Sequence, residues 1–338
     1  MTSPDTHVAV GENFTVKGGG AFSVSRRFTS SAAEYRAWLL DVDGVLHRCG
    51  VAVPGAADFV TYLKERKTPL LLLTNEDRYT NARLVERLKA ILGVSLAPDE
   101  VYSSSNSAKE FFQRLFRHGF DDSCYVLGED GLFENVQQAY DESAVNGRMY
   151  KGDEPLDAGA RKVTYVVVGC TFSENTRNSE RAVEFVRQGA RLVYSCPDYY
   201  DVMANGSFHL GMAMPLVDLI CKICNVTAYN VGKPNSHMLR MALRRLLSDT
   251  ELQWKDVMFV GDSLGTDIRT SIENGIDCAL VLSGTTTPDA LARSALQPNF
   301  VFPSILELHH SVLAGSVLRT VVEDGDARTP PGVKRHNG

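Results

Sequence analysis

The chain has 338 residues, more than a single hydrophobic core comfortably organises, so two domains are expected, either consecutive or one inserted into the other. Hydrophobic residues make up 44% and charged residues 22%, as in a globular protein, and no apolar run approaches the roughly 20 residues of a membrane-crossing helix. A formal net charge of -6 excludes the broad basic field that nucleic-acid binding relies on, and the seven cysteines have no regular spacing. They read as reduced thiols of a cytosolic-type compartment rather than as a disulfide framework.

Residues 1–34, rich in Gly, Ser and Thr around Gly18-Gly19-Gly20, show no sustained helix or strand period and read as an extension outside the fold. Arg26 and Arg27 among serines resemble an organellar leader, against which Asp5 and Glu12 weigh, so the cytoplasm is the expected compartment and an organelle the alternative. Strand-like runs then alternate with amphipathic helices, the pattern of a parallel sheet covered on both faces. Trp38-Leu39-Leu40 ends at Asp41. A helix is expected near Ala56 to Lys64, a strand over Leu70 to Leu73 and a helix beginning at Asn81. Strands are expected at Val163–Val168, Arg191–Tyr194, Val257–Val260 and Ala279–Leu282. Cys221 and Cys224 form a lone C-x-x-C that reads as small buried residues of a helix. From about Val322 onward, Pro330-Pro331 and mixed charges describe a disordered tail, residues 323–338.

Ligands of open parallel sheets sit beyond the carboxyl ends of the strands, so polar residues directly after these runs converge on one site. Asp41-Val42-Asp43-Gly44 places two carboxylates two residues apart on an extended segment, where they face the same way. Such a pair repels itself unless a divalent cation lies between, and oxygen-only ligands select a hard ion, magnesium. By itself the motif also suits a surface turn or part of a calcium loop. Thr74-Asn75 follows the leucine run with a hydroxyl and an amide able to donate to phosphoryl oxygens, or to cap a helix. Lys233, between Gly232 and Pro234, is either a solvated surface cation or a neutraliser of phosphate charge. Asp262 and Asp267 share the loop after the Val257 run; Asp262 is the expected metal ligand. Asp267 orients metal waters, pairs with Lys233 or caps the next helix.

In this order, D-x-D-G-V, T-N, G-K-P and G-D-x-x-x-T-D resemble the four motifs of haloacid-dehalogenase (HAD) phosphatases, and most closely their subfamily IIA. The resemblance runs over roughly residues 36 to 320. It implies an α/β fold: a Rossmann-like parallel-sheet core with helices on both faces, built from 35–115 and 228–322. A smaller α/β cap of the C2 type, 116–227, is inserted into it. It further implies hydrolysis of a small phosphorylated metabolite through an aspartyl-phosphate. Asp41 would be the nucleophile and Asp43 the general acid and base. Mg2+ would be held by Asp41, the backbone carbonyl of Asp43 and Asp262, and the phosphate by Thr74, Asn75 and Lys233. His209 in the cap is a candidate substrate contact, and pairing of two copies through the cap is common in the branch. The chain departs from the family at Cys196, at Glu76-Asp77 and along Phe208–Met214, so the cap leaves the substrate open. Two rivals are a dehalogenase, which has no need of a second acid at Asp43, and a non-catalytic phosphometabolite-binding protein of the same fold.

Overall fold

The computed structural model describes residues 14–18, 20–24, 35–116, 123–143, 148–152, 154, 162–172, 175–202, 207–210 and 213–314; for 14–24, 201–202 and 208–209 this extends to the backbone only. A six-stranded sheet forms the first layer, in the order Phe300–Phe302, Asp277–Val281, Val257–Gly261, Ala37–Leu40, Leu70–Thr74, Val101–Ser103. Every neighbouring pair is parallel. Parallel neighbours require crossovers, which place helices on both faces and make the strands continuous apolar runs. Ala37–Leu40 and Leu70–Thr74 are buried along their whole length. Alternation still sorts their side chains by face. Trp38 and Leu40 pack with Phe59 and Leu63 of helix Ala56–Glu65 and Leu88 of helix Asn81–Leu92. Ala37 and Leu39 pack with Met238, Leu239 and Ala242 of helix Ser236–Leu246.

Chain order reverses at Ala37–Leu40. The next two strands build outward on one side of it, whereas Val257–Gly261 and its successors build outward on the other. The crevice at such a reversal is where open α/β sheets bind ligands, and Asp41 and Asp262 stand at its two lips.

The second layer is a five-stranded parallel sheet in the order Tyr229–Asn230, Arg191–Tyr194, Val163–Val168, Ser123–Leu127, Met149–Lys151. Val166, Val168 and Leu192 pack with Ala182 and Val186 of helix Thr176–Arg187 and with Leu216 and Ile220 of helix Ala213–Cys224. On the other face, Val126 and Val167 meet Leu132, Val136 and Ala139 of helix Asp130–Ser143.

Three features differ from the sequence expectations. Helix Ser104–Phe116, grouped with the first layer by sequence, buries Ala108, Phe112 and Phe116 in the core of the second. Its apolar stripe at every fourth residue faces that sheet. Within the N-terminal segment, Phe14–Gly18 and Gly20–Val24 pair as an antiparallel hairpin. Cys221 and Cys224 do lie on a helix, but only half-buried, at the edge of its packed face. All seven cysteines are free thiols. Among the described residues no helix is long and apolar enough to cross a membrane. The tail 323–338 lies outside them.

Candidate active site

At the end of its strand, Asp41 directs a buried carboxylate into the crevice, and Lys233 Nζ donates to its Oδ1 at 2.6 Å. The same ammonium donates to Asp267 Oδ1 at 2.8 Å and to the carbonyl of Leu73 at 3.0 Å, so all three of its protons are engaged. Asp267 is fully buried, and its Oδ2 accepts from the backbone N–H groups of Asp262 and Ser263, both at 3.1 Å. Asp262 in turn accepts from Thr285 N–H at 2.6 Å. Carboxylate oxygens of Asp41, Asp262 and Asp267 all lie within 4.8 Å of one another.

Three buried acids against one lysine leave an excess of negative charge. Burial, together with the neighbouring Asp267, pushes Asp41 well above the ordinary carboxylate range, although Lys233 opposes the shift. The same two causes push Asp262 up to about 7, against the Thr285 hydrogen bond. Burial would pull Lys233 down, yet Asp267 and Asp41 outweigh it and hold the ammonium charged above its usual value. A hard cation at these oxygens would cancel the excess, and oxygen donors alone suit one. Room for close approach comes from Gly44, whose φ of 78° is left-handed and whose absent Cβ would collide with Asp262 Oδ2.

Asp43 stands apart from this cluster. Its side chain is 64% exposed and its Oδ1 lies 3.6 Å from Nδ1 of His47. Thr74 is buried, and its Oγ1 accepts from Glu76 N–H at 3.0 Å, which leaves its own proton to donate. Asn75 is engaged at both ends of its amide. Oδ1 accepts from Lys233 N–H at 2.8 Å and Nδ2 donates to the Lys233 carbonyl at 3.2 Å. It clamps the backbone of the lysine that reaches Asp41. The backbone of His209 pairs with Asp201 in a short hairpin; the side chain of His209 lies outside the described residues.

Two family models match the chain: haloacid dehalogenase-like hydrolase over residues 38–140 and HAD-hydrolase-like over 230–308. The ribonucleotide monophosphatase NagD of Escherichia coli K12 is 30% identical over 274 residues, which are 80% of this chain and 96% of that protein. The chain belongs to the haloacid dehalogenase-like hydrolases. Its subfamily is IIA, with the core and the inserted α/β cap of that branch. A dihydroxyacetone phosphatase of Corynebacterium glutamicum is 28% identical over 80% of this chain and 90% of its own length. Among solved structures, NagD superposes with a TM-score of 0.66 at 29% identity, over 80% of this chain and 97% of that one. A glycerol phosphate phosphatase from Mycobacterium tuberculosis, solved with magnesium, shares the fold at TM-score 0.70 and 19% identity, over 86% and 81% of the two chains.

Core and cap of this hydrolase meet at residues that sequence reasoning did not assign. Asp77, two residues past Asn75, is fully buried. It accepts a hydrogen bond from Ser195 Oγ–H and another from Cys170 N–H at 3.1 Å, both just past cap strands. Burial pushes its carboxyl up to about 7, against the Ser195 hydrogen bond. Asp77 stood out in the sequence only as a departure from the family pattern, because its partner Ser195 is 118 residues away. Ser283-Gly284-Thr285 lies just past strand Asp277–Val281, outside the four motifs. In the fold Ser283 Oγ donates to the Gly44 carbonyl at 2.7 Å, and Gly284 leaves room for Asp262. A cavity of about 590 Å³ flanks the acids where Pro197 and Asp198 of the cap face Pro234, Ser263 and Thr266 of the core. Asp41 does not line it, so it borders the site rather than seating the reacting group.

Proposed function

We propose that this hydrolase cleaves small-molecule phosphate monoesters, with Asp41 as the attacking group and Asp43 as acid and base. The observation behind this reading is the buried Asp41–Lys233–Asp267 array, with Asp262 beside it, at the reversal point of the sheet. Lys233, giving up its bond to the Leu73 carbonyl, and the Thr74 hydroxyl hold the phosphoryl oxygens in line with an Asp41 oxygen. As the Asp41 O–P bond forms and the ester P–O bond breaks, Asp43 gives its proton to the departing oxygen. Asp43, now ionised, takes a proton from a water that attacks the aspartyl-phosphate, which frees inorganic phosphate and regenerates Asp41. Asp267 keeps Lys233 aimed, and Asn75 fixes its backbone.

The cation that fits this donor set is Mg2+, held by Asp41, the Asp43 carbonyl and Asp262; when bound it would neutralise charge on the transferring phosphoryl group. Two relatives, a ribonucleotide monophosphatase and a dihydroxyacetone phosphatase, support phosphomonoesters as the class without choosing among them. Phosphate release from nucleoside monophosphates, triose phosphates and glycerol phosphate, with MgCl2 or EDTA, is the test. Turnover is expected only with the metal, and Asp41→Asn should abolish it. An Asp41→Asn enzyme as active as wild type would overturn the assignment.

A further inference from the structure

We propose that His47 is a positioning residue for Asp43, holding one oxygen of that carboxyl so that the other faces the leaving group. The inference rests on the phosphatase reading above. Asp43 is an exposed side chain with two rotatable bonds, yet proton delivery needs it held within a narrow range of angles.

The backbone supplies the geometry. Gly44 N–H donates to the His47 carbonyl at 2.7 Å, and the N–H groups of Leu46 and His47 donate to the Val42 carbonyl at 2.9 and 3.2 Å. This tight turn brings residue 47 back beside residue 43, with an isolated bridge between the two. His47 is then anchored in the short hairpin His47–Arg48 with Val51–Ala52, paired with Ala52. Its imidazole is only 13% exposed, and Nδ1 is shut off from water without a hydrogen-bond partner. A buried polar atom left unpaired is unfavourable and calls for an explanation. The carboxyl facing it supplies one, since Oδ1 of Asp43 lies at 3.6 Å, about half an ångström beyond hydrogen-bond range. A small rotation of Asp43 closes that gap as substrate enters. Nδ1–H then donates to Oδ1, and the carboxylic proton stays on Oδ2, the oxygen turned toward the ester.

Leaving-group dependence tests this, because nitrophenolate departs readily without a proton whereas an alkoxide does not. The readout is kcat/KM in MgCl2 for glycerol phosphate, phenyl phosphate and p-nitrophenyl phosphate, with thermal unfolding recorded for each variant. His47→Phe keeps the ring and removes the donor. It should lose at least about tenfold on glycerol phosphate, a part of the 10²–10⁴ that proton transfer contributes, and stay within about twofold on p-nitrophenyl phosphate. His47→Asn, whose amide nitrogen falls near the place of Nδ1, should recover most of that loss, and His47→Gln should not. An equal loss on all three esters, or none on any, would overturn the role of His47 and leave the phosphatase reading standing. A wild-type enzyme silent on every ester would overturn both.

Discussion

Lys233 shares one buried ammonium between Asp41 and Asp267, and such an arrangement tolerates the loss of an acid better than the loss of the base. Removing one partner of a buried pair leaves an uncompensated charge, which typically costs about 3–5 kcal/mol. Lys233→Met should therefore destabilise the protein by that order at pH 7.5 in EDTA, and by less at pH 5, where Asp41 and Asp262, both pushed upward, take up protons. Urea unfolding at the two pH values checks this, and a loss that does not depend on pH would contradict it. The same change should lower kcat at least about a hundredfold, because the ammonium proposed to hold the transferring group is gone.

At the scale of elements, the loop after Leu70–Thr74 has two jobs, since Asn75 clamps Lys233 and Asp77 plugs into the cap. With Asp77 held near 7 in the folded chain and near 3.8 when unfolded, the native state binds the extra proton. Its contribution to stability is greatest at low pH and disappears as pH rises through about 7. Between pH 5 and 8 the wild type should lose about 2–3 kcal/mol more than Asp77→Asn does, measured in Mg2+ so that the acids of the site stay ionised. A parallel pH dependence in the two proteins would count against this. Helix Asn81–Leu92 is an internal control. Thr80 accepts from Arg83 N–H at its start, and Thr80→Ala should cost about 1 kcal/mol with kcat/KM unchanged.

For the whole molecule, the proposed cation would tie metal binding to folding, because Asp41, Asp262 and Asp267 come together only in the native state. A cation bound to the native state alone stabilises by about 2.7 kcal/mol at a hundredfold excess over its dissociation constant. Millimolar Mg2+ should raise the melting temperature by several degrees at pH 7.5. EDTA should reverse the rise and Asp262→Asn should largely remove it. An identical metal response in Asp262→Asn would move the cation elsewhere.

Six strands were legible in the chain because buried parallel strands are local apolar runs, and the polar residues that end them stand next to those runs in sequence; Val101–Ser103, Ser123–Leu127, Met149–Lys151, Tyr229–Asn230 and Phe300–Phe302, which complete the two sheets, were not. Asp41, Thr74 and Asp262 could be singled out in that way. Periodicity carries no information about partners far apart in the chain. Lys233 reaches across 192 residues to Asp41, and Asn75 across 158 to the backbone of Lys233. Whether a lysine is a solvated cation or a buried bridge depends on what packs around it. The same holds for Asp77 in the cap, for helix Ser104–Phe116 beneath the second sheet and for His47 beside Asp43. By itself the sequence determined the longer buried strands, the order of the motifs and the chemistry their side chains can perform. Only the tertiary structure decided which groups are dry enough and near enough to act on one another, because burial and distance are properties of the packed chain.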